Sequence, residues 1–258
     1  MNRHTTGTDV SVIQHGPHTA VVRMHRPPNN YLDSALIEEL ASAYEELGSS
    51  AWCRVIVLAA EGKHFCAGLD FSSNADQDIA ELYRQALRLF AAPLPVVAAV
   101  QGAAIGGGCG LAMSADFRVA TPSSRFSANF ARLGFHHGFA LTVTLPAAAG
   151  QQAATDLLLT GRRVGGAEAM ALGLCDRLAG DAEGELMAEA LALAGELSAS
   201  APLAVRSIRS TLRDGLVEAA RASMEHVCAE QLALRDTADF AEGVRAAAER
   251  REPRFGGT

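Results

Sequence analysis

Residues 95–109 read PVVAAVQGAAIGGGC, an apolar run that is followed at once by glycines and by the start of a second apolar segment. The run is short, free of charge and rich in valine, which is typical of a buried strand. Residues 64–70 read HFCAGLD and come just after another such run, RVIVLA, at 54–59. Glycines let the backbone turn sharply and approach a ligand closely. The sequence therefore predicts two buried strands that each end in a glycine turn.

Residues 89–115 carry no charged side chain, so this stretch is long enough to span a bilayer. It also contains Pro93, Pro95, Gln101 and five glycines, which would break a single helix. A buried strand, a glycine turn and the start of a buried helix explain the stretch better than a membrane span. We therefore expect no membrane partner.

The rest of the chain predicts an α/β fold that ends in helices. A hairpin is predicted from the alternating residues 10–13 and 19–24. A helix is expected from Asp33 or Ser34 to Gly48. Further strands are expected at 54–59, 95–100 and 116–120. Helical patterns lie between them at 78–90, 108–114 and 147–159. From 184 onward the pattern is helical, with helices expected at 203–212, 216–234 and 240–251. We expect a core over 1–200 and a helical module over 201–258.

Composition excludes several classes of protein. The net charge is −7 and no basic stripe stands out, which argues against a nucleic-acid surface. The five cysteines are odd in number and never have CxxC spacing, so we expect a reduced, cytoplasmic protein with neither disulfides nor a bound metal. The first nine residues are polar and show no secretory signal.

The glycines before residue 109 have two interpretations. The N–H groups at a helix start are free and can stabilise negative charge on an oxygen atom. Alternatively, the glycines only form a tight turn. Neither the GxGxxG order nor the GxxxxGK[ST] order is present, so a dinucleotide or P-loop site is not expected.

HFCAGLD followed by PVVAAVQGAAIGGGC resembles the two signature segments of the enoyl-CoA hydratase/isomerase (crotonase) family. RPPNNYL at 26–32, LLLTGRRVGGAEAMALGLCDRL at 157–178 and EGVRAAAERREPRF at 242–255 resemble further segments of that family, in the same order. The resemblance implies a crotonase-like spiral of ββα turns with a C-terminal helical module that builds homotrimers or homohexamers. It also implies a coenzyme A thioester as substrate, an acyl-CoA of fatty acid metabolism, and no permanently bound cofactor.

The resemblance also assigns roles to individual residues. The backbone N–H groups of Leu69 and Gly107 would form an oxyanion hole for the thioester carbonyl, with Ala67 and Gly68 beside them in the coenzyme A site. Lys63 stands where relatives place a lysine near the coenzyme A phosphates, although a solvated surface lysine is an equal alternative.

Arg250 matches a basic residue near the C-terminus of relatives, which can reach the nucleotide bound by a neighbouring subunit.

Two positions depart from the family pattern. Ordinary hydratases carry glutamates where this chain has Gly110 and Phe130, and neither residue transfers protons. His136 and His137 follow in a glycine-flanked loop and are candidates for acid or base, although they could instead bond only backbone or solvent. The sequence leaves two functions open: an enzyme acting on an acyl-CoA thioester, and a non-catalytic acyl-CoA binder.

Overall fold

A computed structural model describes residues 3–5, 7–71 and 78–258 of the chain. The N-terminal half forms strands β1 (Arg3–Thr5), β2 (Val10–His15), β3 (Thr19–Met24), β4 (Val55–Ala60), β5 (Val96–Val100) and β6 (Ala103–Ile105), with helices α1 (Ser34–Ser49), α2 (Ile79–Phe90) and α3 (Gly107–Ser114). Strands β7 (Phe117–Ala120) and β8 (Arg125–Ser127), a 3-10 helix (Ala131–Leu133), α4 (Leu141–Ala149), α5 (Gln151–Thr160), β9 (Val164–Gly165), α6 (Gly166–Leu172) and β10 (Arg177–Leu178) follow. The chain continues with α7 (Glu185–Ala199), α8 (Pro202–Leu212), α9 (Leu216–Arg235) and α10 (Ala238–Glu249).

In the part of the chain that the structure describes, the larger sheet has seven strands in the order β1-β2-β3-β4-β5-β7-β10. The predicted hairpin of β2 and β3 is confirmed, and the strands from β3 to β10 pair in parallel. Parallel pairing places the C-terminal ends of β4 and β5 side by side, so the glycine segments that follow them leave the sheet at one edge.

The larger sheet is covered by helices on both faces. Along β4, Val55, Val57 and Ala59 pack against α7, whereas Ile56 and Leu58 belong to the main core on the face of α1. Side chains alternate between the faces of a strand, and a strand that is buried on both faces is apolar at every position. This is why residues 54–59 contain no alternation of polar and apolar residues.

A smaller sheet in the order β6-β8-β9 was not predicted. Its strands are two or three residues long, too short for an alternating pattern to be recognised in the sequence. The sheet matters because β6 lies within the second glycine segment, and Gly106 N–H just after it donates to the Ser127 carbonyl at 2.8 Å.

The predicted helix at 147–159 is wrong in its extent, because the chain forms two helices there. Gly150 separates α4 from α5 with a backbone φ of +79°. That conformation lies outside the right-handed helix and is one that glycine adopts readily.

The C-terminal helices predicted after residue 184 are confirmed, with bounds within two residues of those expected for the last three. Helix α9 packs on α2 and α4, and its Ala220, Met224 and Val227 join the main hydrophobic core. Within the described residues, no helix is long and apolar enough to cross a membrane.

Candidate active site

The two glycine turns predicted from the sequence lie against each other. Phe65 N–H donates to the Gln101 carbonyl at 2.8 Å, and Cys66 N–H donates to the Ala103 carbonyl at 3.0 Å. Ile105 N–H returns a bond to the Cys66 carbonyl at 3.0 Å. These backbone bonds hold residues 65–69 beside residues 101–107, and His64 Nδ1 adds a side-chain contact by accepting from Ala103 N–H at 3.2 Å.

Gly68 lies at the point of closest approach. Its φ is +87°, and a methyl group at this position would lie 2.8 Å from the Ile105 carbonyl oxygen and 3.6 Å from the Gly107 nitrogen. A larger residue would therefore be strained in its backbone and would push the two turns apart. The sequence predicted that these glycines let the backbone approach a ligand closely; the contact of one turn with the other at Gly68 is an additional finding of the structure.

The amide of Leu69 lies just after Gly68, where the two turns approach most closely. The Gly68 carbonyl accepts a hydrogen bond from Leu32 N–H at 2.9 Å. In a trans peptide the carbonyl and the following N–H point in opposite directions, so the Leu69 N–H points away from Leu32. Within residues 7–71 and 78–258, no protein group accepts a hydrogen bond from this amide.

Gly107 is the first residue of α3, and the bond from Gly110 N–H to the Gly106 carbonyl closes the first helical turn at 3.2 Å. The N–H of a first helical residue has no acceptor within its own helix. The Gly107 N–H also has no acceptor elsewhere among the described residues. Every residue of α3 is buried, so the positive end of the helix dipole acts there with little screening by solvent.

Apolar side chains surround the second turn. Leu32 is fully buried, and its methyl carbons would lie 3.1 Å from a side chain at position 107. The buried Phe130 ring lies 3.8 Å from where a side chain at Gly106 would begin. The Asn129 side-chain oxygen lies closer still, 3.4 Å from the same point, so the surroundings of the second turn are apolar apart from this one amide group.

The structure leaves no room for a side chain at position 110. A methyl group on Gly110 would overlap the Cβ atom and ring of Phe139, which is itself buried and has a φ of +55°. Phe139 therefore fills the space that a side chain at position 110 would need.

His136 and His137 stack on one another, with ring centroids 4.3 Å apart. The His137 carbonyl accepts a hydrogen bond from His136 Nδ1 at 2.8 Å, which leaves His136 Nε2 as the lone-pair nitrogen of the neutral ring. His137 Nε2 lies 2.8 Å from the Thr142 hydroxyl. Burial, together with the neighbouring His136, lowers the pKa of His137 to about 4, so His137 is uncharged at neutral pH.

The loop of the two histidines is held by a buried hydrogen-bond chain that sequence reasoning missed. The Tyr83 hydroxyl of α2 donates to Gln231 Oε1 of α9 at 2.8 Å, and Gln231 Nε2 donates to the His136 carbonyl at 2.8 Å. Gln231 is buried to 2% exposure on a helix whose other polar residues are mostly solvated. The sequence signal that could have identified Gln231 is its polar side chain on the otherwise apolar face of α9.

Asn30 is a second positioning residue that was missed. Its side chain is fully buried, and its Nδ2 donates to the carbonyls of Glu61 and His64 at 2.8 and 2.7 Å. Its Oδ1 accepts from Arg26 N–H at 2.9 Å. The side chain thus ties the loop RPPNNYL to the start of the first glycine turn.

The remaining predicted residues lie at several places. Ala67 is half-buried, and its N–H donates to the Asn29 carbonyl at 2.9 Å. Lys63 is exposed just before the first turn, with its carbonyl packed against Gly102. Arg250 is exposed at the C-terminal end of α10, far along the chain from either turn.

The cysteines that flank the turns, Cys66 and Cys109, are fully buried thiols, and burial raises the pKa of each to about 12. Neither is a thiolate at neutral pH, so both act as small apolar side chains. Among the residues described, no group of three or more His, Cys, Asp or Glu side chains is arranged to hold a metal ion.

Comparisons with known proteins identify the family of this chain. The sequence matches the enoyl-CoA hydratase/isomerase family over residues 16–258. A putative enoyl-CoA hydratase of Thermus thermophilus is 36% identical over 257 residues, covering 92% of this chain and 97% of the relative. A probable enoyl-CoA hydratase of Bacillus subtilis is 34% identical over 246 residues, which cover 92% of this chain and 95% of the relative.

Solved structures lead to the same family. The crystal structure of an enoyl-CoA hydratase/isomerase from Pseudoalteromonas atlantica superposes with a TM-score of 0.87 at 29% identity and covers 96% of this chain and 100% of that one. The crystal structure of an enoyl-CoA hydratase from Mycobacterium avium subsp. paratuberculosis superposes with a TM-score of 0.85 at 25% identity. The match covers 96% of this chain and 99% of that one. The chain has the crotonase fold and belongs to the enoyl-CoA hydratase/isomerase family.

Proposed function

We propose that this chain is an enzyme that polarises the thioester carbonyl of an acyl-CoA between the N–H groups of Leu69 and Gly107. Two such donors make the α-carbon of the thioester more acidic and its β-carbon more electrophilic. The observation that carries the proposal is the pair of joined glycine turns, in which neither amide has an acceptor among the described residues. The coenzyme A would lie along Ala67 and Gly68, with Lys63 and Arg250 as candidates for its phosphates.

Paired-glutamate hydration does not fit this site, because positions 110 and 130 carry glycine and phenylalanine. We propose that His136 exchanges the proton instead. Its Nε2 is the free nitrogen of the ring, whereas the low pKa of His137 makes that residue a weak base. The reaction would then be an isomerisation or lyase reaction through an enolate-like intermediate.

A non-catalytic acyl-CoA binder is the second candidate. The observation that favours it is the ring of Phe139, which fills the space beside Gly110 with hydrocarbon. Such a protein would be stabilised thermally by acyl-CoA and would turn over no member of a substrate panel.

Gly107→Pro tests the amide of α3 directly. Proline lacks the N–H group but is accepted at the first position of a helix, so the helix itself should persist. Gly107→Ala is the matched control, since it adds a Cβ atom against Leu32 but keeps the N–H group. We expect Gly107→Pro to lower kcat/KM on the best acyl-CoA substrate roughly 100- to 1000-fold relative to Gly107→Ala.

Circular dichroism and thermal unfolding would verify that both variants are folded. Equal activity of the two folded variants would show that the Gly107 amide does not stabilise the transition state. Hydration of crotonyl-CoA by the wild type at the rate of ordinary hydratases would show that the site does not need the two glutamates.

We also propose that residues 201–258 form an oligomerisation module that assembles trimers or hexamers. Helix α8 has no buried residue, and its Leu203, Ile208 and Leu212 are 80%, 60% and 79% exposed. Three large apolar side chains on one short helix favour a contact with another subunit.

A further inference from the structure

Helix α8 is joined to the core by a cluster of buried polar groups that takes no part in the proposed thioester chemistry. Arg209 Nε and Arg213 Nη1 donate to the two oxygens of the Asp116 carboxylate at 2.9 and 2.8 Å. Arg209 Nη1 also donates to the Ala92 carbonyl, and Arg213 Nη2 donates to the Ser114 carbonyl at 3.1 Å. These bonds fix both guanidinium groups around a single carboxylate.

Tyr44 of α1 lies beside the same cluster. The Gly48 carbonyl, four residues after Tyr44, accepts a hydrogen bond from Arg206 Nη2 of α8 at 3.0 Å. Residues four apart in a helix share a face, so Tyr44 lies on the face of α1 that meets α8. A methyl group on Gly48 would lie 2.4 Å from the ring of Pro93, which follows the residue whose carbonyl Arg209 bonds. Two independent contacts thus bring this face of α1 to the arginines of α8.

The Tyr44 hydroxyl is near enough to the cluster to respond to its charges. Tyr44 is buried to 1% exposure, and burial raises the pKa of its hydroxyl. The negative charge of Asp116 raises this pKa further, whereas the positive charge of Arg209 lowers it. Because such effects fade with distance, the hydroxyl lies close to both groups, and it stays protonated at neutral pH.

Three donors of this cluster have no acceptor. The Tyr44 hydroxyl, Arg209 Nη2 and Arg213 Nε are shielded from solvent and bond no group of the part of the chain that the structure describes. A guanidinium group has only donors, so an acceptor is needed to satisfy these nitrogens. Since the three atoms are enclosed by this chain itself, a side chain of a neighbouring subunit does not reach them.

The cluster also carries an excess of positive charge. Among the described residues, Asp116 is the carboxylate within ion-pair distance of both Arg209 and Arg213, so two positive charges face one negative charge. The three side chains are 11–14% exposed, and a buried charge without a counter-charge is unfavourable. A water molecule would accept hydrogen bonds but leave the charge uncompensated, whereas an anion would do both.

We propose that this cluster binds a chloride ion, which accepts hydrogen bonds from the Tyr44 hydroxyl, Arg209 Nη2 and Arg213 Nε. The donors are enclosed, which favours a small ion over a phosphate or a carboxylate. A single negative charge balances the excess of the cluster. Helix α8 has no buried residue, so an ion that joins it to α1 would contribute strongly to holding this helix on the core.

Thermal unfolding of the full chain tests the proposal when sodium chloride is replaced by sodium gluconate at constant ionic strength, because general screening then stays the same. A ligand that binds only the folded state raises Tm in a saturable manner. We expect Tm to rise toward a plateau as the chloride fraction increases, and sodium bromide to act in the same way.

Tyr44→Phe removes one donor and keeps the ring. In chloride this variant should melt about 2–4 °C below the wild type, because a hydrogen bond to the ion is lost. In gluconate the difference should vanish or change sign, because the variant then lacks only an unpaired buried hydroxyl. Tyr31→Phe is the matched control, since Tyr31 is half-buried outside the cluster, and its Tm difference from the wild type should be the same in both salts. An equal chloride dependence in Tyr44→Phe and the wild type would overturn the proposal.

Crystals grown in sodium bromide locate the ion directly. We expect an anomalous peak at the bromine edge within hydrogen-bonding distance of the Tyr44 hydroxyl and of Arg209 Nη2. A water molecule there, without anomalous signal, would overturn the proposal. A bromide peak without any effect of halide on Tm would indicate an adventitious ion only and would overturn it as well. A failed thioester assay would leave this result unaffected, because neither measurement uses acyl-CoA.

Discussion

At the scale of single residues, Gly110 and Phe139 form one packing unit. Glycine at position 110 allows the Phe139 ring to lie directly on α3, and any side chain at position 110 would collide with it. The absence of a side chain at position 110 and the placement of the Phe139 ring are therefore coupled features of this chain. A side chain introduced at position 110 would fit only if the Phe139 ring moved.

Gly110→Ala should lower the free energy of unfolding by about 1–3 kcal/mol, because it overpacks a buried contact. Gly195→Ala is the control: this residue lies inside α7 with no neighbouring atom within 4 Å of a new methyl group. That change should raise the free energy of unfolding by about 0.5–1 kcal/mol through helix propensity. Urea unfolding of both variants would measure the difference, and equal effects would contradict the packing argument.

Gly110→Glu extends the same test to activity. We expect no gain in crotonyl-CoA hydration, because the Phe139 ring fills the space that the glutamate side chain would need. Appearance of hydratase activity in this variant would show that Phe139 moves aside.

His137 adds a pH dependence of stability. Its folded-state pKa of about 4 lies below its ordinary value of 6.5, so between these values the unfolded chain binds a proton that the folded chain does not. The contribution of His137 to stability is complete above pH 6.5 and is lost as the pH falls toward 4. His137→Gln should therefore flatten the decline of the unfolding free energy between pH 6.5 and 4, as measured by urea titrations at several pH values. If the unfolding free energy of His137→Gln fell with pH as steeply as that of the wild type, the His137 ring would lie in a solvated environment.

At the scale of secondary-structure elements, α8 is attached to the core by charge rather than by apolar packing. Arg209 and Arg213 both bond the carboxylate of Asp116, at 2.9 and 2.8 Å, and all three side chains are less than 15% exposed. Asp116 also accepts from Val96 N–H at 2.8 Å, so one carboxylate joins β5 to the helix.

Asp116→Ala should lower the free energy of unfolding by about 3–5 kcal/mol, because it leaves two partly buried arginines without a partner. Asp214→Ala, at an exposed neighbouring position, is the control and should change stability by less than about 0.5 kcal/mol. Hydrogen exchange would show in addition whether the amides of α8 lose protection. A small effect of Asp116→Ala would mean that α8 is held by other contacts.

The sequence predicted those helices and strands whose apolar residues recur with a clear period, and those turns that are marked by a local residue such as glycine. The hairpin, the buried strands and the C-terminal helices belong to this group, and so do the two glycine turns, because glycine is needed where backbones meet. The break at Gly150 and the three short strands of the smaller sheet depend on tertiary contacts that leave no periodic trace. Asn30 and Gln231 could not be assigned for a similar reason: their partners are carbonyl groups distant in the chain.

At the scale of the whole molecule, the exposed apolar side chains of α8 predict the state of assembly. Light scattering coupled to size exclusion should give a trimer or a hexamer for the wild type. Leu203→Glu and Leu212→Glu together should shift the protein toward monomers, because charged groups would be buried at the interface.

Leu159→Glu is the control for assembly, since Leu159 is 73% exposed on α5 and lies outside residues 201–258. Dissociation by Leu159→Glu, with an intact oligomer in the α8 variant, would place the interface elsewhere and contradict the module boundary at 200.

The amide side chain of Gln231 connects the C-terminal helices to the loop that carries the candidate base. Its Nε2 donates to the His136 carbonyl at 2.8 Å, so the position of α9 and the backbone of His136 are directly joined. If neighbouring subunits restrain α9, association and acyl-CoA binding share one thermodynamic linkage, so each favours the other by the same factor. Diluting the protein until its subunits separate would then weaken its affinity for acyl-CoA, and adding acyl-CoA would draw the subunits back together.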